Sequence, residues 1–200
     1  EMVDVYLDDA LAIDDFAFRT ATPVLELPAE VEIVIGIAPG NSGGPGDIIA
    51  SFPVTLMAGE RYLVMATGVL DPSLPSNPEG LDTGFTLNVF TPYTDTAMPG
   101  MVGLLAYHGA PDAPTVDVLA DGVGILIDDL AYGDFAGYLE VPAAEYTLRV
   151  TPGNDNNTIV ASFIAPLEGL GGAAAVVFAS GFLSAGLPDL PTFGLFAALP

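Results

Sequence analysis

Apolar and polar residues alternate with a period of two over much of this chain. Tyr146, Leu148 and Val150 fall on one side of an extended segment, Thr147 and Arg149 on the other. Ile33, Ile35 and Ile37 repeat the apolar side, opposite Glu32 and Val34. Val116 and Val118 point one way, Asp117 and Leu119 the other. Successive side chains of a strand project to opposite faces, so the pattern predicts strands with one buried face. Turn-forming "PGNS" and "PGND" supply Gly and Asn, which tolerate positive φ in hairpin loops. The predicted core comprises Val5, Ile33, Ile35, Val118, Tyr146, Leu148, Val150, Val177 and Phe178.

The pattern occurs twice. Val3-Asp4-Val5 matches Val116-Asp117-Val118, "AIDDFAF" (12–18) matches "LIDDLAY" (126–132), and "LELPAE" (25–30) matches "LEVPAA" (139–144). "APGN" (38–41) matches "TPGN" (151–154), "IIASF" (48–52) matches "IVASF" (159–163), and "MATGVL" (65–70) matches "FASGFL" (178–183). "GFTLNVF" (84–90) and "TFGLFAA" (192–198) close the two copies with one more apolar strand each. Constant order with similar gaps reads as a tandem duplication. The first copy spans 1–92, a linker 93–100, the second copy 101–200. Short strands with frequent turns predict an all-β chain of two tandem immunoglobulin-like antiparallel β-sandwich domains. The second copy opens with an apolar run and a turn, "MVGLLAYHGAPDA", that the first lacks, so the first domain is expected to lack its opening strand.

Composition narrows the function. The chain carries 26 acidic residues, three Arg and no Lys, a formal net charge of −23. Such a charge repels phosphate backbones and anionic membranes, so no nucleic-acid partner is expected. The acids serve solubility or reflect a saline setting or divalent cations. Cys is absent, which excludes disulfides and thiolate metal sites. No signal peptide is visible, and Glu1 in place of an initiator Met suggests a mature or trimmed product. The most apolar stretch, 169–183, is too short and Gly-rich for a membrane span and reads as a buried strand.

Candidate chemistry is sparse. His108 is the only imidazole. Its neighbours Tyr107 and Asp112 mark no nucleophile, and its place in "HGAPDAP" suggests a hydrogen bond pinning that turn. The pairs Asp14-Asp15 and Asp128-Asp129 raise a carboxylate-based glycosidase. Adjacent strand residues point to opposite faces, however, so these pairs read better as turns holding charge in water. Weak calcium candidates are Asp8-Asp9, Asp121 and the loop with Asn154, Asp155 and Asn156, none with a recognised calcium-loop spacing. "GNSGGPGD" (40–47) lacks the ending of a phosphate loop. No catalytic residue, cofactor or enzyme activity is assigned.

"AYHGAPDAPTVDVLADG", "LAYGDFAGYLEVPAAEYTLRVTPG" and "VVFASGFL" together resemble a bacterial family of exported domains, the domain of unknown function numbered 4397. The opening from His108 to Val118 is the most specific element. The resemblance extends over nearly the whole chain as two copies. It implies a β-sandwich that is secreted or held at the cell surface, with a structural or adhesive role and no catalytic residues.

Two readings follow. The first is an extracellular structural protein, a homo-oligomer or homopolymer subunit of a surface filament or layer, completed by strand donation between subunits. The second is a monomeric surface-attached adhesion module binding a glycan or cell-surface protein. The first reading expects the groove beside Val3-Asp4-Val5 to be filled by a strand from outside residues 1–92. Its interface candidates are Val3, Val5, Leu7, Phe193, Leu195 and Phe196, with the apolar terminus "TFGLFAALP" as a possible donor or as the last strand of the second copy, and a cleaved segment as a third source of the missing strand.

Overall fold

The computed structural model describes residues 2–71, 73–184 and 190–198. Among these the chain is all-β, with one 3-10 turn at Pro45–Asp47 and no α-helix. Its contacts divide it into two compact units, Glu1–Tyr62 and Leu63–Pro200. The division falls inside the first sequence copy rather than at its end.

The first unit is one antiparallel sheet of β1 (Met2–Leu7), β2 (Ala10–Ala17), β3 (Glu32–Pro39) and β4 (Ala50–Thr55), in the order β2-β1-β3-β4. Asp8 and Asp9 link β1 to β2 with φ of 46° and 66°. Two positive φ values are the pattern of a tight hairpin turn, and Asp tolerates them better than most residues. One face of the sheet carries Ile33, Ile35 and Ile37, all buried, beside Val3, Val5 and Leu7, which are half-buried.

The second unit holds the other ten strands: β5 (Leu63–Thr67), β6 (Thr86–Phe90), β7 (Met101–Gly109), β8 (Val116–Ala120), β9 (Gly124–Leu130), β10 (Phe135–Pro142), β11 (Glu145–Pro152), β12 (Ala161–Pro166), β13 (Ala174–Ser180) and β14 (Gly194–Ala198). They form three sheets, β12-β11-β8-β9, β10-β7-β13-β14 and the pair β5-β6. The first two pack face to face. Ala106 of β7 joins Val116, Leu130 and Val150 in one cluster, and Val102, Leu104, Val141 and Ala175 form another with Leu126 and Tyr146 against it. The β5-β6 hairpin covers the opposite face of the middle sheet, setting Leu63, Met65 and Phe90 on Leu105, Tyr107, Val176 and Phe178.

The middle sheet is thus covered on both faces, and its sequence shows it. β7 ("MVGLLAYHG") and β13 ("AAVVFAS") are continuous apolar runs without alternation, as expected of a doubly buried strand. These two strands pair in parallel, from Ala174 opposite Gly103 to Ser180 opposite Gly109. The remaining strand ladders are antiparallel, so the expected wholly antiparallel sandwich is corrected at this one pair. Of the predicted core, Ile33, Ile35, Val118, Leu148, Val150 and Phe178 are buried, while Val5, Tyr146 and Val177 are partly covered.

The internal repeat appears in the pairing registers. Val5 stands between Ile13 and Ile37, and Val118 between their counterparts Ile127 and Val150. Both β1-β2 and β8-β9 carry irregularities at matching positions. Ile35 opposite Phe52 matches Leu148 opposite Phe163. Leu63 opposite Phe90 matches Val176 opposite Ala198, and the parallel bridge Val69–Gly84 matches Phe182–Thr192. Every strand ladder of the second copy has such a twin except the two made by β7, with β10 and with β13. Among the described residues of the first copy no strand is the counterpart of β7. The counterpart of β10, residues 21–28, forms no strand, and Val24 and Leu25 there are exposed.

Candidate functional site

The repeated "VDV" and "IDD" motifs build the same device in each copy. Asp4 Oδ1 accepts the Asp15 amide at 3.0 Å, and Asp117 Oδ1 accepts the Asp129 amide at 2.7 Å. Asp15 and Asp129 both have φ of 52°, so a buried carboxylate holds a left-handed kink in the neighbouring strand. Asp4 and Asp117 are 2% and 1% exposed, whereas Asp14, Asp15, Asp128 and Asp129 keep their carboxylates at the surface. The paired acids therefore do not face one another. The sequence reading missed Asp4 and Asp117. The signal was there: an acid in mid-strand, recurring 11 and 12 residues before the second acid of each pair.

The two devices differ on their second oxygen. Tyr6 donates to Ser42 Oγ at 2.7 Å, and Ser42 donates to Asp4 Oδ2 at 2.5 Å. That bond, followed by the Asp15 amide, lowers the Asp4 pKa from its ordinary value of 3.8. The counterpart of Ser42 is Asp155, whose carboxylate accepts the Asn157 amide and the Thr158 hydroxyl instead. Asp117 Oδ2 is buried with no hydrogen-bond partner among the described residues.

His108 pins the turn that follows β7. Its ring is fully buried, Nε2 donates to Pro114 O at 3.1 Å, and Nδ1 accepts the Ala110 amide at 3.3 Å. This fixes the neutral Nε2–H tautomer, and burial lowers its pKa from 6.5. Asp112 accepts the amides of Leu183 and Ser184, each at 2.7 Å. From the long loop between β5 and β6, Asn77 donates to Pro111 O and Ala113 O, and Glu79 accepts the amide and hydroxyl of Thr115. Asn77 and Glu79 were not anticipated. Their only trace is that this loop is longer and more polar than its counterpart in the second copy.

The calcium candidates are engaged locally. Asp8 and Asp9 form the β1-β2 turn, where Asp8 Oδ1 accepts the Val34 amide at 2.9 Å. Asp121 makes a two-point pair with Arg149, at 2.7 and 2.8 Å. Asn156 accepts from Thr151, and Asn154 lines an open depression with Glu79 and Asp129. Among the described residues no three His, Asp or Glu side chains gather closely enough to share a metal ion.

The interface candidates fall in both units. Val3, Val5 and Leu7 line the apolar face of β1. Phe193 and Leu195 pack against Ala106, Val150 and Ala179, and Phe196 stacks on Phe178 with ring centroids 5.9 Å apart. β14 pairs with β13 and so completes the second copy's own sheet. The expected groove beside Val3-Asp4-Val5 is corrected. β1 is flanked by β2 and β3, both from the first copy, as β8 is flanked by β9 and β11. The error was one of sheet assignment: β7 precedes β8 in sequence but pairs in the facing sheet, between β10 and β13. The strand edge that lacks a β7-type neighbour therefore belongs to β5, the twin of β13. Among the described residues β5 pairs with β6 alone. Its outward side chains Val64 and Ala66, with Val89 of β6, are exposed.

Residues 103–187 match the family model described as "Domain of unknown function (DUF4397)". The match runs from β7 through β13 and past its end, taking in His108, Asp112 and Asp117. It covers under half of the chain, and residues 1–102 lie outside it. No curated protein matches the chain.

Proposed function

We propose that this is a non-catalytic extracellular structural protein, a self-associating subunit of a surface filament or layer completed by strands donated between subunits. The observation that carries the reading is β5, which among the described residues has a single neighbour and an exposed apolar face. Its twin β13 lies in mid-sheet between β7 and β14. Unpaired strand edges favour pairing with another chain unless they are blunted by charge, proline or cover. On this reading residues 1–92 are a second, partial member of the matched family, and both copies are immunoglobulin-like sandwiches. Secretion or surface attachment follows from the family resemblance. The acid excess suits a protein that must associate at chosen edges and repel elsewhere. No cofactor and no nucleic acid enter the proposal.

Sedimentation across a concentration series, with electron microscopy of the concentrated chain, tests it. Mass that rises with concentration, together with rods or sheets, is the expected result. A chain that stays monomeric and binds a glycan array would replace it with the adhesion-module reading.

A further inference from the structure

We infer that the second copy binds a calcium-class divalent cation, held by Asp117 Oδ2, Thr151 Oγ1 and Asn156 Oδ1. The inference goes beyond the proposed function and does not depend on self-association.

The pairing register brings these oxygens together. Asp117 of β8 stands directly opposite Thr151 of β11. Val116, Val118 and Val150 beside them lie in the core, so Asp117 and Thr151 project from the other face of the sheet. Both are nonetheless buried there, at 1% and 0% exposed. Side chains so placed lie about 5 Å apart at Cβ. From the loop after β11, Asn156 Oδ1 accepts the Thr151 hydroxyl at 3.0 Å, which sets an amide carbonyl next to this pair. Asp117 Oδ1 is taken on the β9 side by the Asp129 amide. Oδ2 is buried and has no hydrogen-bond partner among the described residues.

The first copy shows where that oxygen turns. Asp4 Oδ2 faces the loop after β3, the twin of β11, and Ser42 there donates to it. Two exchanges distinguish the copies at this point: Asp155 stands in place of Ser42, and Thr151 in place of Ala38. The first removes the hydroxyl donor, and the second adds an oxygen. Thr151 gives its proton to Asn156, so it offers Asp117 lone pairs alone. Three acceptors, one of them charged, thus share a buried place, and buried charges are paired or coordinate metals.

The chemistry selects the ion. Carboxylate, hydroxyl and amide carbonyl are hard oxygen ligands, and calcium takes about six to eight of them in irregular geometry, with waters completing the set. Magnesium demands a near-ideal octahedron and loses its own water reluctantly. A single carboxylate puts the affinity at the weak end of calcium sites, with half-saturation on the order of 1 mM.

Calcium chloride titrated into the 200-residue chain, in about 0.15 M salt to screen general charge effects, is the test. At roughly ten times the half-saturating concentration it should raise the second unit's unfolding midpoint by about 3–6 °C. It should also slow hydrogen exchange around residues 116–119 and 150–157. Asp117→Asn, which keeps the acceptor for the Asp129 amide, should abolish the increment. In chelator that variant should be at least as stable as the parent, and in calcium the order should reverse. Thr151→Val and Asn156→Ala should each reduce the increment, whereas Asp121→Asn should keep it. No saturable increment, an equal one from magnesium chloride, or protection confined to other strands overturns the inference. So does an increment that persists in Asp117→Asn, or that is unchanged in both Thr151→Val and Asn156→Ala.

Discussion

The sheet β2-β1-β3-β4 and its twin β9-β8-β11-β12 share strand order, register and the carboxylate-held kink, yet they bury their apolar faces differently. Val116, Val118 and Ala120 are buried beneath β7, β13 and β14, whereas Val3, Val5 and Leu7 are half-buried. Each of the hydrophobic clusters found among the described residues lies in the second unit. Local sequence therefore suffices to write a sheet, its turns and its kinks. Burying that sheet's inner face takes a second sheet, and here the two copies part company.

Truncation of the core should give the largest effect. Leu148 is buried at the centre of β11, and Leu148→Ala should cost about 2–5 kcal/mol. The comparison itself is tested by Val118→Ala against Val5→Ala, the same residue in the same register. Val118 is 8% exposed, so its loss should approach roughly 2 kcal/mol, with the Val5 loss about half of that. Chemical denaturation followed by hydrogen exchange in β3 and β11 reads each unit separately. Equal losses would mean that the two faces are equally covered in solution.

The fold class was legible because half-buried strands alternate, and the repeat was legible because its motifs sit at bulges and turns. The middle sheet was harder. β7 and β13 are apolar on both faces, and no alternation says which strand lies beside which. Sequence adjacency then suggested that β7 neighbours β8, and the expected groove was drawn beside β1. Asp4 and Asp117 were hidden for a different reason. An acid at a strand position opposite an apolar face reads as solvent-facing, and only the structure shows Ser42, from the loop after β3, bonded to Asp4, and Asp117 buried on β8.

A smaller effect separates the two carboxylate devices. Asp4→Asn removes the charge that accepts from Ser42, while Asp117→Asn removes charge from an oxygen with no partner among the described residues and keeps the acceptor for Asp129. Unfolding midpoints should fall for Asp4→Asn and hold or rise for Asp117→Asn, since a buried unpaired charge is unfavourable. A fall of the same size in both would show that Asp117 Oδ2 is paired in solution.

Acid should distinguish the units next. Burial lowers the His108 pKa below 6.5, so the unfolded chain binds a proton first and stability declines as pH falls below about 6.5. The Asp4 pKa is lowered by Ser42 and the Asp15 amide, so its contribution is complete above 3.8 and is lost as pH falls through the folded value. Loss of protection in β7 and β13 should therefore begin at higher pH than the loss that Asp4 governs in β1. His108→Gln should weaken the second unit at neutral pH and flatten its decline between about pH 6.5 and 5. An unchanged slope in that variant would assign the decline to other groups.

Salt should give the smallest effect, and it bears on the same comparison. The first 62 residues hold eleven acids and two Arg, and the remaining 138 hold fifteen acids and one Arg. Charge is therefore denser in the first unit, which also has the less covered apolar face. Two carboxylates about 10 Å apart in water repel by a few tenths of a kcal/mol. Raising salt from about 0.01 to 0.15 M shortens the screening length from about 30 to about 8 Å and removes much of the longer-range repulsion. Both units should melt a few degrees higher, the first by more. Arg149 works against the trend in the second unit, because screening weakens its pair with Asp121. If exchange in β3 and β11 responds equally to salt, charge density does not separate the units, and burial alone must account for the difference between them.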